Sequence, residues 1–138
     1  MWGYTQKVKN SQIEEFYLGY IKEIHFHLGS CFAVLGNSEL SLKHYKKALD
    51  LEPDSEVIHS AVGLAYIKMR DIPKAITHFE KVVELNENNL MAVNSLALCY
   101  QEVGELDKAE RYLRVIAQKD SQSVSARQNL ENFLRKYK

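Results

Sequence analysis

Five histidines and two cysteines are the first candidates in this chain for binding a metal, and the histidines are also candidates for a general base. His25 and His27 are two residues apart, so on a helix they would point to different sides. No acidic residue stands at the spacing of an HExxH zinc site. His25 and His59 are 34 residues apart, and so are His44 and His78. A structural repeat explains this pairing without chemistry, and we expect neither a catalytic site nor a metal site.

The two cysteines, Cys31 and Cys99, are separated by 68 residues, which is twice the same interval. If successive repeats stack at roughly a helix diameter of ~10 Å, the two thiols lie about 20 Å apart. A disulfide requires Cα atoms within about 7 Å. We therefore predict that both cysteines are small, buried apolar residues.

Motifs and composition exclude several other functions. The chain has no P-loop, dinucleotide-binding fingerprint or GxSxG elbow, so we expect no enzyme and no cofactor. Its 18 basic and 18 acidic residues balance, so net charge favours neither nucleic acid nor an anionic lipid surface. No segment approaches the ~20 apolar residues of a membrane span, and the start lacks a signal-peptide core. A single domain in the cytoplasm is the default expectation.

The elements that would position any site are helical. Residues 57–86 predict two helices folded back on each other, because apolar residues recur at helical spacing in each half. Pro73 marks the start of the second helix, where a missing N–H is tolerated. The apolar positions of the two helices are Ile58, Val62, Ala65, Tyr66 and Met69, and then Ala75, Ile76, Phe79, Val82, Val83 and Leu85.

A shift of 34 residues superimposes this segment on its neighbours in both directions, and such a period indicates a repeat array. Small residues, aromatic or large apolar residues and turn residues stay in register through three copies. The matched sets are Gly29, Gly63 and Ala97; Phe32, Tyr66 and Tyr100; Ser41, Ala75 and Ala109; Tyr45, Phe79 and Leu113; Ala48, Val82 and Ile116; and the turn residues Gly36, Arg70 and Gly104.

The three copies resemble tetratricopeptide (TPR) repeats, in which Leu-Gly, Tyr, Ala, an aromatic residue, Ala and Pro recur at set positions. The Trp of that pattern is absent from all three copies, and its Pro is present only as Pro53. The resemblance implies an all-α, right-handed solenoid of three helix pairs at about residues 22–55, 56–89 and 90–123. An extended first helix and a capping helix over residues 123–137 complete it.

The N-terminal segment lies outside the repeat pattern. Residues 1–10 show no periodicity and suggest a flexible arm, followed by a single TPR domain over residues 11–138. Ser11 and Glu14 form a capping-box pattern, which predicts one long helix from about Gln12 to Leu35. Phe16, Tyr17 and Tyr20 must then pack on the second helix or on a partner. They are a candidate assembly face for a homodimer.

By the resemblance, the first helices of the repeats line a concave groove that takes an extended or helical peptide. In this groove, apolar residues would accept side chains and amides would bond the peptide backbone. The family's groove positions, carried over one by one, are Phe26, His27, Ser30, Val57, Ser60, Ala61, Leu64, Ile67, Lys68, Met91, Asn94, Ser95, Leu98, Gln101, Gln128, Asn129 and Asn132.

TPR domains that hold the C-terminal carboxylates of Hsp70 and Hsp90 use Lys, Asn, Asn, Lys and Arg in this groove. The matching positions here cannot supply charge-assisted bonds to a carboxylate, so we do not expect such a clamp. Those positions are Phe26, Ser30, Ala61, Met91 and Ser95.

The resemblance thus implies a non-catalytic protein-binding module, acting as an adaptor or scaffold subunit. One alternative is a small chaperone similar to the TPR chaperones of type III secretion, which bind secreted or unfolded clients. Another is a scaffold that self-assembles through its N-terminal helix. Neither nucleic acid nor membrane insertion is expected, and the sequence does not identify the protein partner.

Overall fold

Seven α-helices stacked in chain order make up the part of the protein that the structure describes. The computed structural model describes residues 2–138, and within that range there is no strand. The helices are α1 (Trp2–Val34), α2 (Ser38–Leu51), α3 (Glu56–Lys68), α4 (Ile72–Leu85), α5 (Leu90–Glu102), α6 (Leu106–Lys119) and α7 (Val124–Tyr137). Each helix packs on the next, from α1 on α2 through α6 on α7. This is the all-α solenoid that the repeat pattern predicts. None of the helices in residues 2–138 combines the length and apolarity needed to cross a membrane.

The helices repeat with the 34-residue period of the sequence. Helices α2, α4 and α6 begin at residues 38, 72 and 106, and α3, α5 and α7 begin at residues 56, 90 and 124. Gly36, Arg70 and Gly104 end the first helices with positive φ angles of 79°, 64° and 81°. Each is followed by a residue whose N–H bonds a carbonyl five residues back, as in a Schellman C-cap. By its position, α7 is the first helix of a fourth, incomplete repeat.

The core lies between the two helices of each pair, and in the first two pairs a glycine faces an aromatic ring there. A Cβ atom added at Gly29 would lie 2.5 Å from the Tyr45 ring, and one added at Gly63 would lie 2.8 Å from the Phe79 ring. Tyr45, Phe79 and also Tyr66 are buried. The absent Cβ therefore lets the helices approach closely enough to enclose the ring.

Four of the five histidines form two equivalent, partly buried pairs. The Nδ1 atoms of His25 and His44 are 3.1 Å apart, and those of His59 and His78 are 3.0 Å apart. His59 Nε2 donates to the Pro53 carbonyl at 2.7 Å, so in neutral His59 the Nδ1 atom accepts and His78 donates. Burial lowers the pKa of His78 to about 4, helped by His59 and a nearby lysine. Within residues 2–138 no group of three or more His, Cys, Asp or Glu side chains is placed to hold a metal ion.

Helix α1 is longer than the sequence pattern predicted. It begins at Trp2 rather than near Gln12, so the expectation of a flexible arm over residues 1–10 is wrong for residues 2–10, and Met1 lies outside the described residues. Ser11 is inside the helix and is not its cap. Residues 2–11 contain no proline and a single glycine, so nothing in them stops a helix from extending toward the N-terminus.

The predicted burial of Cys31 is also wrong, because this thiol is exposed while Cys99 is buried. In the third repeat, α4 packs against α5, the helix that carries Cys99. The first repeat has no preceding helix among the described residues to cover α1 in the same way. Equivalent positions in the first and third repeats therefore carry the same residue type but differ in burial.

Candidate functional site

An array of exposed apolar side chains lies on the first helices of the second and third repeats. Val57 and Leu64 are exposed on α3, and Met91 and Leu98 are exposed at the same repeat positions on α5. Within each helix the two residues are seven apart, which is two turns along one face, or about 10 Å. The four side chains therefore form a two-by-two apolar array across adjacent helices.

Amide side chains border this array on the C-terminal side. Asn129 and Asn132 of α7 and Asn94 and Gln101 of α5 line a pocket of about 230 Å³ together with Leu98. The 34-residue period places Asn132 in the same row as Leu64 and Leu98. These amides offer donors and acceptors to a peptide backbone next to an apolar surface. Gln128, also predicted for this face, is exposed on α7.

The C-terminal end of α7 lies beside the array and forms one of its boundaries. A second pocket, of about 520 Å³, lies between α3, α5 and α7 and is lined by Ile67, Leu98 and Gln101 together with Lys136 and Tyr137. Gln101 Nε2 donates to the Tyr137 hydroxyl at 3.4 Å. The side chains of Lys136 and Gln101 lower the pKa of Tyr137. The C-terminal helix thus supplies a wall of the candidate site as well as the last layer of the stack.

At the N-terminal end of the array there is a third pocket, between α1 and α3. It has a volume of about 280 Å³ and is lined by Lys22, Phe26, Val57 and Ile58, among others. Phe26 is half-buried and packs on Tyr45, with ring centroids 5.8 Å apart. Phe26 therefore forms a fixed wall of this pocket.

Several predicted groove residues point inward or are already bonded. Ser60 is buried. Ser30 donates to the Phe26 carbonyl at 3.1 Å and accepts from the Tyr45 hydroxyl at 3.2 Å. Ser95 donates to the Met91 carbonyl at 2.9 Å. These three serines contribute little to the exposed face. The face is therefore more apolar than the set of groove residues predicted from the sequence.

The remaining predicted residues stay near the face at its edges. Ala61 is half-buried between the exposed apolar side chains of α3, and Lys68 is exposed at the end of that helix. His27 is exposed on α1 and lies 3.8 Å from the Glu23 carboxylate. Lys136 and Tyr137 were missed by sequence reasoning. The signal was available, because Lys136 falls at the repeat position of Lys68 once α7 is counted as a first helix.

Two family models described as tetratricopeptide repeat match residues 22–55 and residues 66–132. The chain belongs to the tetratricopeptide repeat family. The second match includes α5, with Met91 and Leu98, and most of α7, whereas Val57 and Leu64 lie between the two matches. TPR repeats are protein–protein interaction modules in general. No curated protein sequence matches the chain.

Several solved structures share the fold at low sequence identity. The first TPR of Spaghetti (RPAP3), bound to the HSP90 peptide SRMEEVD, is 16% identical with a TM-score of 0.75, covering 83% of this chain and 90% of that chain. The Arabidopsis OM64 TPR domain is 14% identical with a TM-score of 0.75, covering 85% and 96%. MamA is 24% identical with a TM-score of 0.70, covering 73% and 59%.

Proposed function

We propose that this TPR protein is a non-catalytic adaptor or scaffold subunit that binds a segment of a partner protein along α3, α5 and α7. The observation that carries this proposal is the exposed two-by-two array of Val57, Leu64, Met91 and Leu98. Apolar side chains at matched positions of adjacent repeats, with pockets at both ends of the array, suit a ligand that crosses several helices.

The spacing of the array defines the kind of segment that fits. Positions about 10 Å apart match residues i and i+3 of an extended strand, which rises ~3.4 Å per residue. They also match residues i and i+7 of a helix. The ligand we propose therefore carries two apolar side chains at one of these spacings. In its extended form, Asn94 and Asn132 bond its backbone.

The ligand we propose is an internal apolar segment rather than an acidic C-terminus. The Spaghetti domain is bound to an HSP90 peptide, but the positions that would clamp a carboxylate here are Phe26, Ser30, Ala61, Met91 and Ser95. None of them is cationic, and two of the serines bond carbonyls of their own helices. A free carboxylate held at these five positions would lose its hydration without gaining a charged partner among them.

The proposal is tested by panning a library of random 12-residue peptides on the full chain. Selected peptides are then measured against Leu64→Glu combined with Leu98→Glu, which puts charge into the array. The matched control is Leu85→Glu combined with Val103→Glu, two exposed apolar residues elsewhere on the stack. We expect the array variant to lose at least tenfold in affinity, about 1.4 kcal/mol, and the control to bind normally.

A second comparison tests the chemistry of the ligand end. Each selected peptide is made with a free C-terminal acid and with a C-terminal amide. We expect the two forms to bind within threefold of each other. Peptides that bind the array variant as tightly as the wild type, or that require the free acid, would overturn the proposed site.

A further inference from the structure

Helix α1 carries a long segment with no counterpart in the other repeats. Helix α3 begins at residue 56, and subtraction of the 34-residue period places the equivalent start in α1 at residue 22. Because α1 begins at Trp2, twenty residues (2–21) precede that point. Phe16, Tyr17 and Tyr20 in this extension are 66%, 61% and 62% exposed. Three exposed aromatic side chains within five residues of one helix require a structural reason.

The exposed face of α1 is the face that α3 and α5 bury. Ile24 is 49% exposed, whereas Ile58, at the same repeat position in α3, is 3% exposed. Leu28 is exposed, whereas its equivalents Val62 and Leu96 are fully buried. In α3 and α5 the preceding helix packs on this face, namely α2 on α3 and α4 on α5. The face of α1 is thus a helix-packing surface that no helix in the described part of the chain covers.

The uncovered area is large for a monomer. At ~150–250 Å² for an aromatic side chain, Phe16, Tyr17 and Tyr20 leave roughly 350 Å² uncovered. The exposed side chains of Ile13 and Ile24, with their neighbours, extend the patch toward ~600 Å², the upper end of what soluble monomers show. Two such patches facing each other would bury ~1,200 Å², the lower bound for a stable protein–protein interface.

The order of residues along the stripe is self-complementary. Ile13, Tyr17, Tyr20 and Ile24 are spaced by four, three and four residues, which is the seam of a coiled coil. Their order, Ile-Tyr-Tyr-Ile, is the same in both directions. A two-fold axis beside Leu18 would place Ile13 opposite Ile24 of a second copy and Tyr17 opposite its Tyr20. On this basis we propose that the protein is an antiparallel homodimer held together by α1.

The length of the extension fits this arrangement. In the same register, residues 2–21 of one copy lie along residues 16–35 of the other, which reach the C-terminal end of α1. Each extension therefore occupies the place that a preceding repeat's second helix would take. At both ends of the apolar seam Asn10 faces His27, a polar pair that closes the seam. The dimer surface lies on α1 and the apolar array lies on α3 and α5, so they share no residue and each can fail without the other.

The first test is the mass of the full chain by light scattering at concentrations from 1 to 100 µM. We expect 31.8 kDa at the upper end, twice the 15.9 kDa of one chain. Tyr17→Glu combined with Tyr20→Glu should give 15.9 kDa with an unchanged helical circular-dichroism signal, because both side chains are exposed in the single chain. Leu64→Glu combined with Leu98→Glu is the matched control and should remain dimeric. A monomeric wild type, or a dimer that survives the double tyrosine change, would overturn the proposal.

The second test is the register. Gln6→Cys would face Cys31 of the second copy, and oxidised glutathione, taking up the two electrons, should link the two thiols into a covalent dimer. Glu14→Cys is the control, since position 14 is offset by eight residues, ~12 Å, from the position facing Cys31. We expect cross-linking of Gln6→Cys alone. Cross-linking of the wild type through Cys31 would mean a parallel pair and would contradict the antiparallel dimer.

Discussion

A methyl group added at Gly63 would lie 2.8 Å from the ring of Phe79, a side chain that is fully buried. In the third repeat, the positions equivalent to Gly63 and Phe79 are occupied by Ala97 and Leu113, and both are buried. A larger side chain at one of the two positions is thus matched by a smaller residue at the other. The second repeat has glycine opposite a phenylalanine ring, and the third has alanine opposite leucine. This relationship explains why neither residue type is fixed across the repeats.

This relationship predicts that substitutions at Gly63 and Phe79 have non-additive effects on stability in a double-mutant cycle. Gly63→Ala should destabilise the protein by about 1–3 kcal/mol, because the ring it meets cannot move out of a packed core. This loss exceeds the gain in helix propensity, which is at most ~1 kcal/mol. Adding Phe79→Leu should recover at least ~1 kcal/mol relative to the sum of the single changes. Urea denaturation at one fixed protein concentration measures all four proteins.

The control for this cycle is Gly19→Ala. No atom lies within 4 Å of a Cβ added there, so the change should be neutral or stabilising by up to ~1 kcal/mol. A Gly63→Ala protein as stable as the wild type would show that the helix pair can separate without cost. Strict additivity of the two substitutions would show that Gly63 and Phe79 do not share the contact.

Arg70 adopts a left-handed backbone conformation, with φ of 64°, where the other two repeats have glycine. Left-handed geometry costs a non-glycine residue about 1–2 kcal/mol. We expect Arg70→Gly to raise the free energy of unfolding by about 0.5–1 kcal/mol. Arg70→Ala is the control for charge. It retains the strain and loses only an exposed 3.9 Å contact with Glu102, worth little. If the alanine variant gained as much as the glycine variant, the backbone argument would fail.

Ser41 is fully buried, and its hydroxyl has no hydrogen-bond partner among the described residues. The equivalent residues Ala75 and Ala109 are equally buried and carry no hydroxyl. Ser41→Ala should therefore stabilise the protein by about 1 kcal/mol, the desolvation cost of an unpaired hydroxyl. Ala75→Ser should cost about 1–3 kcal/mol. Thermal unfolding followed by circular dichroism separates the variants, and a lower midpoint for Ser41→Ala would disprove the unpaired state.

The low pKa of His78 predicts acid sensitivity. Burial, with help from His59, lowers the pKa from 6.5 to about 4 in the folded protein, so the unfolded chain takes up the proton first. Stability is complete above pH ~6.5 and is lost as the pH falls toward 4. Urea midpoints between pH 7.5 and 4.5 should show this loss, and His78→Gln should reduce it. The exposed His27→Gln variant should behave as the wild type, and an equal reduction there would refute the assignment to His78.

Much of the fold was predictable because the repeat period carries it. Helices α3 and α5 begin at Glu56 and Leu90, the starts predicted for the second and third repeats, and the turns at Gly36, Arg70 and Gly104 fall at the predicted positions. The failures lie at the N-terminal end of the stack. Ser11 has the local pattern of a cap, but a cap forms only where the chain leaves the helix, and local sequence did not determine that. Cys31 matched Cys99 in type but lacks a helix to cover it.

Sequence spacing accounts for the exposure of some predicted site residues and not for the hydrogen bonding of others. The exposed apolar array follows directly from the repeat positions of Val57 and Leu64. The hydrogen bonds of Ser30 and Ser95 to carbonyls of their own helices do not follow from spacing, since a serine hydroxyl on a helix can donate either to such a carbonyl or to solvent. The role of Tyr137 required the packing of α7, which the sequence alone did not define.

The measurement that tests the proposed binding face most directly is an amide chemical-shift titration of the full chain with a peptide selected by panning. We expect the largest changes on α3, α5 and α7, around Val57, Leu64, Leu98 and Asn132, with little change on α2, α4 and α6. The same peptide should leave the spectrum of the Leu64→Glu, Leu98→Glu variant unchanged. Shifts concentrated on the second helices of the repeats, or on the exposed stripe of α1, would contradict the proposed function.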